Sequence, residues 1–506
     1  MMGNSARRFW SLVLIKGALC AFPALAFQTL DQDFAKQART ELFAARYERA
    51  VEFYRKVLAL EPTADAYYGL TRALLRAHRS KEAYAAADEG LKRAPQSAAA
   101  QTAAGLAMFR KGEILQAEEY FRTAMKIDQN YCGAISGLAA IYTAISKPKT
   151  ARDLLRQAYL TCPDDPALML ARANTLRGAE HLAALETVLS GLDPASEDAR
   201  GVRAHIASDR ALGDRKVRRL ISAYEPARIK LVQITDAPQR VRGLGLRVQF
   251  NQRHTATLLL DTGASGISLA PKVAQKAGLE LLSDESSEAK GIGDKKPQDS
   301  FSYLASEIRI GTVVFADHPV SVFRAAKDSD VEGLIGADVF QKFMVMLDFP
   351  ALQLALEAYP DAPGDDPQDV NAVPEGLHRV VRAGNHLLIA TSVNQSPAKW
   401  FLIDSGAFSN LIDTDSAREF TGVRQDAFTG VRGIQGKVNH VSRADRITLV
   451  FGGFRQENPN LIAISLEKPS DSMGIGITGV LGMPVLGQLK LTIDYRAGAV
   501  GFARPK

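Results

Sequence analysis

The sequence predicts a multidomain chain: an all-α solenoid of helical hairpins, then an all-β region of two matching lobes. Small residues recur about every 34 positions between residues 30 and 200, in a stretch rich in Ala, Leu, Arg and Glu. Farther on, two apolar runs end in nearly the same acidic turn, Leu-Leu-Leu-Asp-Thr-Gly-Ala-Ser at 258–265 and Phe-Leu-Ile-Asp-Ser-Gly-Ala-Phe at 401–408. Around those turns a series of landmarks repeats in one order. An apolar run driven into a tight glycine turn reads as a strand that exposes one carboxylate at its end.

Residues 1–26 read as a secretory signal. Arg7-Arg8 gives a basic start, Phe9 to Leu25 is mostly apolar, and Ala24-Leu25-Ala26 places small residues at −3 and −1. Lys16 interrupts the apolar stretch, so no stable membrane span is expected after cleavage; an uncleaved anchor is the other reading. Cys20 follows Leu19 instead of a small residue, which argues against a lipoprotein site. The expected location is secreted, in the periplasm.

Residues 28–215 are expected to form the helical domain. Ala50, Ala83, Ala117 and Ala151 stand 33, 34 and 34 residues apart, followed four places on by Tyr54, Ala87, Phe121 and Leu155. Pro62, Pro95, Gln129 and Pro163 mark repeat ends in the same register, and Ala184 continues the series weakly. A helix–turn–helix unit of this length, small where helices touch, resembles the tetratricopeptide repeat: four repeats plus a degenerate or capping one. Such arrays present a concave groove, so the resemblance implies a protein partner or substrate docked there; a spacer is the plainer alternative.

The lobes are expected at 228–358 and 377–505, joined by an exposed Pro/Asp-rich linker at 359–376. Asn251-Gln252 and Asn394-Gln395 each lie ten residues before an aspartate, Asp261 and Asp404. Gly291-Ile292-Gly293 answers to Gly433-Ile434-Gln435-Gly436, and the last glycine of each sits 32 residues past its aspartate (293 − 261, 436 − 404). Gly333-Leu-Ile-Gly336 matches Gly479-Val-Leu-Gly482, and both run on into an apolar strand ending Asp348-Phe349 or Asp494-Tyr495. Four landmarks in order make an internal duplication with a period of 143 residues (404 − 261).

A chain with two such turns can bring two carboxylates face to face. At about 3 Å the pair cannot both ionise, so they share a proton; one activates water as a base while the other acts as an acid. At these residues the chain resembles the pepsin/retropepsin superfamily of aspartic proteases, retroviral type, with two copies fused into a bilobal acid protease barrel. The resemblance covers roughly 228–505. It implies Asp261 and Asp404 as the catalytic pair, with Thr262 and Ser405 bonded across the pseudo-dyad. It implies turn glycines at Gly263 and Gly406, and flaps at Gly291, Ile292, Gly293, Gly433, Ile434 and Gly436. Ala264 and Ala407 stand where pepsin-like enzymes carry a hydroxyl, so a less acidic pair, active from mildly acidic to near-neutral pH, is expected.

With Cys20 removed, Cys132 and Cys162 remain, at the start and end of the third repeat. In an antiparallel hairpin those ends are neighbours, so a disulfide is expected there, with two buried thiols as the alternative. Removing Arg7, Arg8 and Lys16 takes the net charge from +6 to +3, too near balance for nucleic-acid binding. No Cys-x-x-Cys, His-Glu-x-x-His or Gly-Lys-Ser/Thr motif occurs, so neither metal nor cofactor is indicated.

The expected function is an exported aspartic endopeptidase acting on protein or peptide substrates. The alternatives are a non-catalytic tetratricopeptide scaffold carrying an inactive protease-like fold, and a dimer whose lobes pair between chains.

Overall fold

The structure, a computed structural model, describes residues 21–237, 240–289, 291–323, 332–360, 368–433 and 435–505. Most of the expected leader (1–26), part of the expected linker and Ile434 lie outside the described residues. No helix among the described residues is long and apolar enough to cross a membrane.

Among the described residues eleven helices come first: α1 (Ala21–Phe43), α2 (Tyr47–Leu60), α3 (Ala64–Arg76), α4 (Ser80–Arg93), α5 (Ala98–Lys111), α6 (Ile114–Ile127), α7 (Cys132–Ala144), α8 (Pro148–Thr161), α9 (Pro166–Ala173), α10 (Gly178–Gly191) and α11 (Glu197–Leu212). The periodic alanines Ala50, Ala83, Ala117 and Ala151 are all buried, on the second helix of successive hairpins. Large and glycine positions interlock between hairpins. A Cβ on Gly105 or Gly137 would come within 2.5 Å of the Phe121 ring, so that ring fills the space between α5 and α7. Counted from α1, the hairpin α7/α8 is the fourth, not the third, because α1/α2 already forms one. Its ends carry the disulfide Cys132–Cys162 (Cα–Cα 6.2 Å).

The two ends of the array touch. The α10–α11 turn reaches the α1–α2 turn, where Asp193 N–H donates to the Ala44 carbonyl (2.9 Å) and Arg46 pairs with Asp193 (3.4 Å). Arg72 on α3 pairs with Asp165, the N-cap of α9, at 2.7 Å, and Arg76 with Asp198 at 2.6 Å. The solenoid therefore curls until its first and last hairpins meet. Opposite charges join the two ends of the array.

Among the described residues three large sheets and one two-stranded hairpin follow. Lobe 1 holds a nine-stranded sheet and lobe 2 an eight-stranded one. Between them runs a six-stranded sheet in the order His378–Arg379, Ala499–Ala503, Lys490–Asp494, Phe343–Asp348, Gln353–Ala358, Ala227–Lys230. The apolar strands that close each repeat pair at its centre, Val345 opposite Ile493 and Leu347 opposite Leu491. The lobes thus pair within one chain, by backbone bonding and a common apolar layer. The linker is tied down at points: Tyr359 is buried and donates to Asp494 (2.9 Å), and Asp369 accepts the Lys149 and Thr150 N–H groups at the start of α8.

Part of the helical array shares a core with lobe 2. Ile114, Phe121 and Leu138 cluster with Leu388, Leu402 and Val480 of lobe 2. At this seam Trp400 donates to the Gly112 carbonyl (2.6 Å), Lys399 pairs with Glu113 (2.6 Å), and buried Arg110 pairs with buried Asp471. On the other side Arg200 of α11 pairs with Glu288 of lobe 1.

Candidate active site

Each aspartate ends a buried strand, His254–Leu260 in lobe 1 and Lys399–Ile403 in lobe 2. The glycine-bounded elements run parallel beside them, Ile335 opposite Leu260 and Leu481 opposite Ile403. Their carbonyls accept the aspartate N–H groups, Asp261 to Ile335 (2.9 Å) and Asp404 to Leu481 (3.0 Å). A Cβ on Gly336 would lie 2.6 Å from the Ala264 carbonyl, and one on Gly482 2.7 Å from that of Ala407, so glycine lets each element pack under its turn. The Asn-Gln landmarks are turns as well: Asn251, Gln252, Asn394 and Gln395 all have left-handed φ between 48° and 67°.

The two acidic turns interlock. Thr262 N–H donates to the Ser405 hydroxyl (3.1 Å) and Ser405 N–H to the Thr262 hydroxyl (2.9 Å). The hydroxyls in turn donate to the carbonyls of Ile403 and Leu260, both at 2.8 Å. Gly263 N–H reaches the Asp261 carboxyl and Gly406 N–H that of Asp404, again both at 2.8 Å. A Cβ on Gly263 would stand 2.6 Å from Asp404 Cγ, and one on Gly406 2.5 Å from Asp261 Cγ. The carboxyls are thus packed against each other's turns and are hydrogen-bonded to one another. Burial raises both above the ordinary carboxylate range; for Asp404 the Asp261 charge adds to it, holding it well above.

Above them lies a cleft of about 1810 Å³ lined by both lobes. Its lid is made by the two glycine tips touching. Gln435 N–H donates to the Ile292 carbonyl and Lys295 N–H to the Gln435 carbonyl, both at 3.0 Å, and a Cβ on Gly293 would lie 2.8 Å from the Gly436 nitrogen. The tips differ in form. Arg432–Gly433 and Gly436–Lys437 pair as a short hairpin, whereas in lobe 1 the described pairing runs to Ala289 opposite Gln298. Gly291 and Ile292 line the cleft, as do the helical domain's His78 and Glu197.

The sequence reading missed His386. It lines the cleft, its ring is bonded to the Gly263 backbone, and its buried Nδ1 has no hydrogen-bond partner among the described residues. Burial lowers its pKa, against the pull of Asp261 and Asp338. One period back stands Gly243, so no repeated motif marks it. Asp338 is a second omission: it accepts Gly266 N–H (2.9 Å) and the Asn385 amide (2.6 Å), joining lobe 1 to lobe 2 beside that ring.

Comparison with known proteins gives a consistent picture. Residues 246–339 and 389–485 match the family described as aspartyl protease. No curated protein matches the chain. Solved structures similar to it include a thermophilic TPR protein of Thermus thermophilus (21% identity, 36% of this chain and 98% of that one, TM-score 0.28). Another is pilF of Pseudomonas aeruginosa (16% identity, 37% and 87%, TM-score 0.25). These two likenesses are distant, and the helical fold rests on the hairpins themselves. Two segments of the chain match the aspartyl protease family, behind an amino-terminal region of helical hairpins.

Proposed function

We propose that this chain is an aspartic endopeptidase. The observation that carries the reading is the reciprocal Thr262–Ser405 interlock, which holds the Asp261 and Asp404 carboxyls together at the floor of a lidded cleft. The pair holds one proton. Its ionised member takes a proton from a water, which attacks the scissile carbonyl, while the protonated member gives its proton to the carbonyl oxygen. No covalent intermediate is needed. The cleft suits an extended peptide bound by backbone pairing beneath the tips, with half-exposed Phe408 offering an apolar contact on one side only, since its counterpart is Ser265.

The helical region supplies part of the cleft wall through His78 and Glu197 and bridges the two lobes, so its proposed role is to position protein substrates at that wall. Export to the periplasm, with removal of residues 1–26, is part of the proposal; a disulfide at Cys132–Cys162 suits an oxidising compartment.

The test is cleavage of a peptide library from about pH 3 to 8 by the wild type and by Asp261→Asn and Asp404→Asn. Turnover lost in both variants and not regained on mixing them supports a pair within one chain. Recovery on mixing favours the dimer, and an inert wild type favours the scaffold.

A further inference from the structure

Away from the cleft, α10 and α11 bring His181, His205 and Asp209 together. They are the only group among the described residues whose donor atoms could hold a metal, with one ligand atom from each within 4.8 Å of the others. His205 and Asp209 are four apart on α11 and so share a face; His181 reaches that face from α10. Nε2 of His181 lies 3.2 Å from Asp209 Oδ2, and Nε2 of His205 3.8 Å from the same oxygen. A tetrahedral ion with bonds of about 2.0–2.1 Å holds its ligand atoms about 3.3–3.4 Å apart, so these spacings are close to the edges of such a site.

The hydrogen bonding points the same way. Nδ1 of His181 lies 2.7 Å from the Ala173 carbonyl, and a carbonyl only accepts, so the proton sits on Nδ1. In the neutral ring this turns the Nε2 lone pair toward a carboxylate oxygen, acceptor against acceptor. A cation between them removes that conflict, and a backbone carbonyl fixing the far nitrogen is the usual support for a histidine ligand. The rings of His181 and His205 stand 5.1 Å apart, both presenting Nε2 to one oxygen.

We infer that His181, His205 and Asp209 form a site for a zinc-class divalent ion, with a coordination position left for water or an outside ligand. The site clips α10 to α11, the helix that packs on the strand Glu280–Ala289 leading to the lobe 1 tip. It does not depend on the chemistry of the cleft.

The experiment uses the full chain, stripped with a chelator, titrated with Zn²⁺ alone by calorimetry and with Co²⁺ by visible absorption, with Mg²⁺ as the contrast. Wild type should take up one Zn²⁺ and no Mg²⁺, with a rise in melting temperature. His181→Gln should weaken Zn²⁺ by at least about 10–100-fold, the cost of losing even an outer-shell partner, and so should half-exposed His205→Gln, which is the variant least prone to misfold. No Zn²⁺ uptake by folded wild type overturns the site. Uptake unchanged in the folded His205→Gln variant does so too, and leaves His181–Asp209 as an ordinary ion pair.

Discussion

Thr262 and Ser405 are bonded to each other twice, the N–H of each to the hydroxyl of the other, and both are almost wholly buried (1% and 2% exposed). The hydroxyls are acceptors and donors at once, so each side chain stitches its own turn to the opposite strand. That pair sets the spacing of the two acids next to it.

Thr262→Ala should therefore strand the Ser405 N–H in a dry environment. We expect a stability loss of about 2–4 kcal/mol, read by denaturant unfolding, together with reduced turnover. Thr262→Ser keeps the bonds and should stay within about 1 kcal/mol. An alanine variant as stable and active as wild type would show that the interlock does not hold the turns.

Asp404→Asn should lower turnover at least about 1,000-fold. Its effect on stability has a definite sign. A carboxyl raised above its ordinary value of 3.8 binds its proton more tightly folded than unfolded. The benefit is complete below that value and fades as pH rises through the folded one. The asparagine variant should lose this decline and match or exceed wild type at neutral pH, as melting curves across pH will reveal.

Gly406→Ala changes no charge, yet its methyl would sit 2.5 Å from Asp261 Cγ. We expect a folded protein whose kcat falls at least about 100-fold through misplacement of the acids. Gly201→Ala, within α11 with open space around it, is the control and should stabilise by about 0.5–1 kcal/mol.

Replacing Cys132 and Cys162 by serine opens a closed loop of 30 residues and should cost about 3–4 kcal/mol. Neither residue lines the cleft, so kcat/KM at low temperature should not change. Equal denaturation midpoints with and without reductant would contradict the estimate.

Arg110→Ala leaves Asp471 buried at the seam between the helices and lobe 2. A loss of about 3–5 kcal/mol is expected, with earlier protease nicking of α5. Asp471→Asn in the same background should recover part of it.

Much of the architecture could be read from residue order. The acidic turns are legible because strand, turn glycine and hydroxyl lie within a few neighbouring positions, and the 143-residue period exposes their partnership. The helical repeat is legible because small residues must return wherever helices touch. What escaped had no periodic trace. Arg72 and Asp165 look like ordinary surface charges until folding makes them an ion pair across the array. The apolar faces of α6 and α7 have the same pattern whether they meet another hairpin or the lobe 2 sheet. His386 replaces a glycine in one copy only.

By itself, then, the chain's order determined two acidic strand-turns, their duplication and a helical array ahead of them, since each is written in short-range spacing. Only the tertiary structure decided that the array closes on itself, shares a core with lobe 2, lends His78 and Glu197 to the cleft and gathers His181 with His205 and Asp209. Those contacts join residues far apart in sequence, and long-range pairing of charges and apolar faces follows from packing in space, which no local period records.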